Sequence, residues 1–351
     1  MLLSRCENKL LGKNAGVLTI NTKGKREYFF QGLTAALPLH YNEFVILRKR
    51  VRLPMKVLCF GSLNIDYTYD VEHFVGAGET LSSSALQVFS GGKGLNQSIA
   101  LARAGAEVFL AGAVGRDGAF LLDTAAAAGV DVSLVRISDD VRTGHAIIQR
   151  NSSGGNCILL YGGANRSITK ELIDDVLSHF DAGDWLVLQN EINALDCLID
   201  AAKARGLQIV LNPSPMNETV SALPLEKIDL FLLNEVEAAQ LLGRELGDAP
   251  DGAAVMNALR GRFPSASIVL TLGEHGSWYA DADKLVYQPS FRVTAVDTTA
   301  AGDTYEGFFL ASRLRGEDVQ RSMLLAAKAA AIAVTRCGAA PSIPTRAEVE
   351  V

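Results

Sequence analysis

The sequence predicts an α/β fold in which helices cover both faces of a mostly parallel β-sheet, with a second, smaller sheet. Two observations predict it: short apolar runs alternate with amphipathic stretches of helical length, and two half-polar segments interrupt that rhythm. Continuous apolar strands are typical of a parallel sheet buried on both faces, whereas alternation is typical of a strand with one exposed face. With 351 residues, 48% of them hydrophobic, the chain is large enough to bury such a core.

The main sheet is expected to contain six apolar runs, at residues 57–60, 108–113, 185–188, 208–211, 230–233 and 268–272. Between them the pattern predicts helices at residues 95–104, 119–128, 192–204 and 235–242. A further strand is expected at residues 291–296, followed by a helix at residues 304–314. The half-exposed strands are expected within residues 67–90 and 143–161, with glycine turns at 76–78 and 153–155. We expect these two segments to pair as a lid.

Residues 1–54 differ from the rest of the chain in charge and pattern. They hold ten lysines and arginines against three glutamates, a net charge of +7, whereas the remainder carries −13. They lack sustained periodicity and end in a basic cluster at residues 48–52. The sequence therefore predicts one domain at residues 55–351 that opens at Met55, preceded by a basic extension that is disordered or foreign to the native chain. The alternative is a small appendage that binds a partner or nucleic acid.

Composition excludes several classes of function. An acidic body argues against nucleic acid as a ligand, because phosphate neutralisation needs clustered lysine and arginine. No apolar run reaches the roughly 18 residues that a transmembrane helix needs, and the start of the chain lacks a secretory signal pattern. The five cysteines are scattered and form no Cys-x-x-Cys pair, which argues against a disulfide framework or a zinc site. We therefore expect a cytoplasmic protein.

Two glycine-rich segments are candidates for the chemistry. In the first, residues 90–97 (Ser-Gly-Gly-Lys-Gly-Leu-Asn-Gln), the glycines allow a ligand close to the backbone, while Lys93 and Asn96 supply hydrogen-bond donors. Its spacing matches neither a Walker A loop nor a Rossmann fingerprint. A tight turn beside a solvated lysine is the alternative interpretation.

The second segment, residues 297–304 (Asp-Thr-Thr-Ala-Ala-Gly-Asp-Thr), precedes a predicted helix. Its small residues leave the amides of Ala301, Gly302 and Asp303 available at a helix N-terminus, which suits an anion whose charge grows in a transition state. A carboxylate at Asp303 can then accept the proton of an attacking hydroxyl, the role of the base in phosphoryl transfer. An ordinary helix N-cap is the alternative interpretation.

Together the two segments resemble the signatures of the ribokinase family of carbohydrate kinases. The first matches the family's Gly-Gly-Lys-Gly-x-Asn-Gln element and the second its Asp-Thr-x-Ala-Ala-Gly-Asp-Thr element. The resemblance extends over nearly all of residues 55–346, and further matching segments are residues 61–66, 212–215, 234–237, 271–273 and 335–342. It implies a ribokinase-like three-layer α/β/α sandwich with a mostly parallel central sheet and a small β-sheet lid.

The resemblance also implies an ATP-dependent sugar kinase that transfers the γ-phosphate of Mg-ATP to the primary 5-hydroxyl of D-ribose. Asp303 is similar to the family's general base, and the amides of residues 300–303 are similar to its anion hole, formed by Ala300, Ala301, Gly302 and Asp303. The implied sugar-binding residues, besides Asp303, are Asn64, Asp66, Gly92, Lys93, Asn96 and Glu191. The implied ATP-binding residues are Asn234, Glu237, Thr271, Gly273, Gly276 and Gly302. Of these, Asn234 and Glu237 are expected to arrange Mg²⁺ and phosphate through water.

A monovalent cation and a second subunit are implied as well. A family member with this C-terminal pattern binds a cation near the anion hole, so we expect stimulation by K⁺. The implied ligands are oxygens, which suit a hard cation: the side chains of Asp297 and Ser342 and the carbonyls of Thr299, Ala333, Arg336 and Gly338. Relatives often bury the exposed face of the lid against a second copy, so we also expect a homodimer.

Some positions depart from the family pattern. Glu306 stands where asparagine is usual, Ala327 and Lys328 replace a His-Ala pair near the nucleotide base, and Ile65 replaces a common alanine beside the sugar-binding aspartate. These departures leave open a kinase for another small sugar or for a nucleoside, although Lys93 favours sugar kinases. A sugar-sensing regulatory protein without activity is a further alternative. The intact Asp303 segment favours catalysis, because a sensor does not need a base.

Overall fold

The computed structural model describes residues 17–22, 25–30, 55–152, 155–247 and 250–351. The chain divides into two compact units, Met1–Pro54 and Met55–Val351. In the first unit the described residues form an antiparallel hairpin of strands β1 (Val17–Thr22) and β2 (Lys25–Phe30). The prediction that residues 1–54 are an extension falls mostly outside the described residues, and it stays a prediction.

The second unit is built on a nine-stranded sheet. Seven of its strands are parallel, and an antiparallel hairpin, β14–β15, extends one edge beside β13. The strand order across the sheet is β15-β14-β13-β12-β11-β10-β3-β6-β7. The bounds of the nine strands are β3 Val57–Phe60, β6 Val108–Gly115, β7 Asp131–Ser138, β10 Trp185–Gln189, β11 Gln208–Asn212, β12 Leu230–Asn234, β13 Ser267–Thr271, β14 Ser277–Ala280 and β15 Leu285–Gln288.

Helices cover both faces of this sheet. The helices of one layer are α1 Lys93–Arg103, α2 Ala119–Ala127, α7 Ala301–Leu314, α8 Val319–Ala333 and α9 Arg346–Val349. The helices of the opposite layer are α3 Lys170–Leu177, α4 Leu195–Ala204, α5 Glu235–Leu242 and α6 Gly252–Arg262. Among the described residues no helix is both long and apolar enough to cross a membrane.

The central strands contain continuous apolar runs because each strand contributes side chains to two cores. In β3, Leu58 and Phe60 pack in one core, whereas Val57 and Cys59 pack in the core on the other face. All four side chains are fully buried. Alternate residues of a strand point to opposite faces of a sheet, so burial on both faces removes the alternation and leaves a continuous apolar run.

A four-stranded sheet forms the lid. Its order is β5-β4-β8-β9, with β4–β8 parallel and the outer pairs antiparallel. The bounds of its strands are β4 Asn64–Val71, β5 Ala85–Gly91, β8 Gly144–Asn151 and β9 Asn156–Tyr161. The predicted pairing of the two insertions is confirmed, and so is the predicted three-layer fold. The turn predicted at residues 153–155 falls partly on residues 153–154, which lie outside the described residues.

Three differences between the predicted elements and the structure are the most marked. Residues 291–296 were predicted as a strand from their alternating pattern, but they are exposed and pair with no strand among the described residues. Alternation of polar and apolar residues does not by itself supply a partner strand. The helix predicted from residue 304 begins at Ala301, since glycine and alanine gave no periodic signal there. The helix predicted from residue 192 begins at Leu195, after Ala194 adopts a left-handed conformation with φ of 57°.

Candidate active site

Two cavities lie side by side at the carboxyl ends of the central strands, where open α/β sheets bind their ligands. The smaller, of about 220 Å³, is lined by the ends of β11, β12 and β13 and by the first turns of α7. The larger, of about 670 Å³, is lined by the lid strands, the start of α1 and residues 295–300. Lys93, Thr298, Ala300 and Asp303 line both cavities. A ligand in either cavity therefore contacts the same few side chains at the boundary.

The N-terminus of α7 presents free backbone donors at this boundary. Ala300, the N-cap, adopts a left-handed conformation with φ of 59°, which is uncommon for a residue other than glycine. Within the described part of the chain, the amides of Ala300, Gly302 and Asp303 have no acceptor, whereas the amide of Ala301 donates to the carbonyl of Thr298. Three of the four expected anion-hole amides are thus free. A Cβ added at Gly302 would meet no atom within 4 Å, so the space in front of this turn is open.

Asp303 is 6% exposed and is held by side chains of α1. Asn96 Nδ2 donates to Oδ2 at 3.3 Å, and Gln97 Nε2 donates to Oδ1 at 2.9 Å. Gln97 in turn accepts a hydrogen bond from Gln189 on β10, which fixes which end of its amide faces Asp303. Because both donors are amide N–H groups, they bind a carboxylate that keeps its remaining lone pairs for a proton.

Lys93 supplies the positive charge at the boundary. Its Nζ lies 4.0 Å from Asp303 Oδ1. Burial lowers the pKa of Lys93, but the nearby carboxylates of Asp303, Glu191, Glu237 and Glu306 outweigh burial and raise that pKa overall. The ammonium group is therefore charged at neutral pH, and it can neutralise an anion bound in front of α7.

Close packing of two helices brings Lys93, Asn96 and Gln97 to Asp303. A Cβ added at Gly307 of α7 would lie 2.4 Å from the Cβ of Ala100 on α1, so only glycine permits this approach. Gly92, the N-cap of α1, adopts φ of 94°, and a Cβ there would lie 2.8 Å from the backbone nitrogen of Asn64. The glycines of the first segment therefore serve the fold of the site as well as access to it.

At the far end of the larger cavity, Asp66 on β4 faces the ligand space. A Cβ at Gly91 would lie 1.9 Å from Asp66 Oδ2, so this glycine makes room for the carboxyl group. Burial, reinforced by the negative charge of Glu191, raises the pKa of Asp66 to about 7. Glu191 is held by the hydroxyl of Ser62 and by the backbone amide of Lys93, whose nitrogen lies 3.1 Å from Oε2.

Asn64 lines the same cavity, and its side chain is oriented by Asn165. Asn165 Nδ2 donates to Asn64 Oδ1 at 2.7 Å, while Asn165 Oδ1 accepts from the backbone amide of Leu63 at 3.0 Å. Since the oxygen of Asn64 is occupied, its amide nitrogen remains as a donor toward the cavity. All six residues predicted to bind the sugar besides Asp303, namely Asn64, Asp66, Gly92, Lys93, Asn96 and Glu191, line this cavity.

The smaller cavity contains part of the predicted nucleotide site. Asn234 and Glu237 line it and form a capping box at the start of α5, in which Glu237 Oε2 accepts from the amide of Asn234 at 2.8 Å. Burial raises the pKa of Glu237. Thr271 lines this cavity too, whereas Gly273 and Gly276 lie in the turn after β13, outside the walls of both cavities.

The predicted cation ligands lie on two loops that meet at Asp297. Its Oδ1 accepts from the amide of Thr299 at 2.9 Å, and its Oδ2 accepts from the amide of Gly338 at 2.9 Å. Burial raises the pKa of Asp297, but these hydrogen bonds and the charge of Arg150 outweigh burial and lower that pKa overall. The carbonyl of Ala333, at the end of α8, accepts from the amide of Arg336. Ser342 is buried, and its hydroxyl donates to the carbonyl of Ala339 at 2.8 Å.

Oxygen atoms alone make up this set, which fits a hard monovalent cation. No group of three or more histidine, cysteine, aspartate or glutamate side chains in the described ranges is placed to hold a metal ion. Carbonyl-rich sites do not need such a group.

Sequence reasoning missed three residues that position the expected ones: Ser62, Gln97 and Asn165. Asn165 and Asn64 are 101 positions apart in the chain, and no periodicity or motif links them. Gln97 stood inside the first glycine-rich segment, and its polar side chain on the buried face of α1 was the available signal.

Comparison with known proteins agrees with this geometry. The sequence model of the pfkB family carbohydrate kinases matches residues 55–346. The protein therefore belongs to this family, as the two glycine-rich segments predicted.

Several of the relatives are ribokinases. The ribokinase of Haemophilus influenzae is 34% identical over 292 residues, which cover 82% of this chain and 95% of that protein. The crystal structure of the ribokinase from Cryptococcus neoformans var. grubii serotype A in complex with ADP superposes with a TM-score of 0.77 at 31% identity, and the match covers 85% of this chain and 99% of that chain. The structure of Arabidopsis thaliana ribokinase complexed with ribose and ATP gives a TM-score of 0.73 at 27% identity, over 85% of this chain and 97% of that chain.

Proposed function

We propose that the protein is an ATP-dependent ribokinase that transfers the γ-phosphate of ATP to the 5-hydroxyl of D-ribose. The observation that carries this proposal is the junction of the two cavities at Asp303 and Lys93. A carboxylate, a lysine and free helix amides there can serve a sugar hydroxyl on one side and a phosphate on the other. The likeness to ribokinases, one of them solved with ribose and ATP, supports ribose as the acceptor.

In this proposal Asp303 is the general base. It accepts the proton of the 5-hydroxyl as the oxygen attacks the γ-phosphorus, and ADP leaves in line with the new bond. Lys93 and the amides of Ala300, Gly302 and Asp303 stabilise the negative charge that spreads over the phosphoryl oxygens. Asn96 and Gln97 keep the carboxylate turned toward the boundary of the cavities.

Sugar recognition is assigned to the lid side of the larger cavity. The ionised carboxylate of Asp66 can accept hydrogen bonds from two neighbouring hydroxyls, while Asn64 donates through its amide nitrogen. Glu191 accepts at the opposite side, next to the start of α1. A buried set of acceptors and donors of this kind rejects a sugar that lacks a matching hydroxyl, because the buried group is then left unpaired.

The nucleotide phosphates are assigned to the smaller cavity. Asn234 and Glu237 provide amide and carboxylate oxygens there, which suit Mg²⁺ and its bound water. When bound, Mg²⁺ supplies charge neutralisation of the polyphosphate. Thr271, which lines the same cavity, is also assigned to the phosphates, and the turn with Gly273 and Gly276 is assigned to the nucleoside end.

The sugar assignment is tested by coupled ADP release over a panel of D-ribose, 2-deoxy-D-ribose, hexoses and nucleosides. We expect D-ribose to give the highest kcat/KM. A higher kcat/KM with another sugar or with a nucleoside would mean that this compound, and not ribose, is the preferred acceptor. Tight sugar binding in calorimetry without ADP release from any acceptor would favour a sensor instead.

We also propose that K⁺ binds at the Asp297 loops and holds the residues before α7 in shape. Replacing K⁺ by choline at constant ionic strength is expected to lower kcat severalfold, and Asp297→Asn is expected to remove that dependence, because the carboxylate is the only charged ligand of the proposed set. The measurement is steady-state turnover with and without K⁺. Equal stimulation of the wild type and the variant would contradict this cation site.

A homodimer is proposed on the outer face of the lid. Alternate lid residues line the sugar cavity, and the residues between them form a largely apolar surface, the outer lid face. In it Leu86, Val88, Ile147, Leu159 and Tyr161 are exposed, whereas Tyr67 and Tyr69 are half-buried. Leu159, on the edge strand β9, is 68% exposed. Apolar surfaces of this kind are typical of subunit interfaces, and a twofold partner would cover the patch with its own copy.

The variant Leu159→Lys is expected to convert the dimer into monomers, because it places a charge within the patch that the partner would bury. The readout is the mass from light scattering at micromolar concentration. Leu285→Lys, at a leucine that is 40% exposed on β15, is the matched control and is expected to stay dimeric. A monomeric wild-type protein would rule the interface out.

We further propose that the protein is cytoplasmic. The four cysteines in the described ranges are free thiols, which suits a reducing compartment.

We also propose that residues 1–54 are an extension outside the native kinase. Mass spectrometry of the N-terminus of the natural protein tests this proposal, and a start at Met55 is expected.

A further inference from the structure

Glu306 is a buried acid in the smaller cavity for which the mechanism above has no role. It follows Asp303 by three residues on α7, so the two side chains lie on the same side of the helix. Glu306 is 1% exposed and lines the cavity together with Gly302 and Asp303. Its Oε2 accepts a hydrogen bond from Asn212 Nδ2 at 3.0 Å. Its Oε1 is buried and has no hydrogen-bond partner among the described residues.

Several charged or titratable groups face this carboxyl. They are Asp303 on the same helix, Lys93 on α1, Glu237 on α5 and Cys59 on β3. Burial raises the pKa of Glu306 to about 8, helped by the charges of Asp303 and Glu237 and opposed by Asn212 and Lys93. Burial also raises the pKa of Cys59 to about 12, so this thiol adds no charge.

The two oxygens of Glu306 are therefore not equivalent. Oε2 is occupied as an acceptor by the amide of Asn212, so the proton of the neutral carboxyl belongs on Oε1. A neutral carboxyl with an O–H group on its partnerless oxygen is a hydrogen-bond donor. An ionised carboxyl in the same place would present a bare negative charge to whatever fills the cavity.

We propose that Glu306 binds in its protonated form and donates a hydrogen bond from Oε1 to a phosphate oxygen of the nucleotide. This inference rests on the proposed placement of the nucleotide phosphates in front of α7. The partnerless oxygen then gains an acceptor, and the buried acid binds the polyphosphate instead of repelling it.

The test is the affinity for ADP, measured by calorimetry at fixed Mg²⁺ between pH 6.5 and 9.5. In the wild type, affinity is expected to fall above pH 8 by up to about tenfold for each further pH unit, because Glu306 must keep its proton. Glu306→Gln carries an amide donor that does not titrate, so its affinity is expected to stay within about twofold of the wild type below pH 7 and to stay flat above pH 8. Glu306→Leu is expected to bind ADP about tenfold more weakly than wild type below pH 7, because it has no donor.

A second readout needs no nucleotide. The folded-state pKa of about 8 lies above the ordinary value of 4.5, so the folded protein holds a proton that the unfolded chain releases, and stability is lost as pH rises from about 4.5 to about 8. Glu306→Gln lacks this loss. Its melting temperature is therefore expected to rise relative to the wild type over that range and to keep a constant lead above pH 8.

The outcomes separate this inference from the placement of the phosphates. Weak ADP binding by Glu306→Gln at every pH, including below pH 7, would mean that the carboxylate form binds, and it would overturn the proposal. A wild-type affinity that is flat above pH 8 would overturn it too. Gly302→Ala tests the placement itself, because a methyl group there meets no protein atom within 4 Å but would intrude on a phosphate bound at α7. Unchanged ADP affinity in that variant would mean that the phosphates do not bind in front of α7.

Discussion

Asp303→Asn is expected to lower kcat by about 10²- to 10⁴-fold while the affinity for ribose stays within a few-fold of the wild type. The amide cannot accept the proton of the 5-hydroxyl, yet it has nearly the same shape as the carboxylate, so the cavity keeps its walls. The measurement is steady-state ADP release, with ribose affinity determined separately by calorimetry.

The matched control is Asp318→Asn, at the N-cap of the neighbouring helix α8. Asp318 accepts from the amide of Arg321 at 2.7 Å, and asparagine caps helices as well as aspartate does. Its kcat is expected to match the wild type. If Asp303→Asn kept more than a tenth of the wild-type kcat, Asp303 would not be the base.

Asp66→Ala is expected to raise the KM for ribose by about 10²-fold or more, with a smaller effect on kcat. A charged carboxylate that accepts from two sugar hydroxyls loses two hydrogen bonds of about 1.5–3 kcal/mol each on truncation. Because burial raises the pKa of Asp66 to about 7, the wild type is expected to bind ribose more tightly as pH rises from 6 to 8, when the carboxylate ionises. In Asp66→Ala this pH dependence is expected to vanish.

Asp139→Ala serves as the control for the loss of an aspartate. Asp139 pairs with Arg116 at the surface, and both side chains are more than two-thirds exposed. Its KM for ribose is expected to equal that of the wild type. A KM for Asp66→Ala within threefold of the wild type would place sugar recognition on other residues of the larger cavity.

The parts of the fold that sequence predicted well are those set by burial on both faces. Residues 57–60 form β3 with the predicted bounds, because a strand with a core on each side has to be apolar at every position. Polar and apolar side chains alternate in residues 291–296 as they do in a strand, yet these residues pair with no strand among the described residues. Such alternation indicates which side chains face solvent, but it does not show that a partner strand is present. The order and register of the lid strands depend on contacts between segments about 80 residues apart, which a local pattern does not encode.

The candidate site was predictable where several of its residues lie together in one short segment, as they do in residues 90–97 and 297–304. Lys93 and Asn96 lie just after Gly92 and Gly94, which a close backbone approach requires, and Asp303 lies in a run of small residues, so local sequence marked all three. Asn165 was not predictable, because its role comes from a single side-chain hydrogen bond to Asn64 across the fold. The use of the Ala301 amide in a turn was not predictable either, since it depends on the left-handed conformation of Ala300.

A proposed sugar-binding carboxylate and the proposed catalytic base lie on separate segments of the chain, one in the lid and one in the core. Asp66 belongs to a lid strand, whereas Asp303 and the free amides belong to one helix of the core. In the proposed mechanism, the preference for one pentose over another can therefore be altered by substitutions at Asp66 and its neighbours in the lid strands. The helix that carries the proposed base packs closely on its neighbour at Gly307 and Ala100, and it can stay unaltered while the acceptor changes.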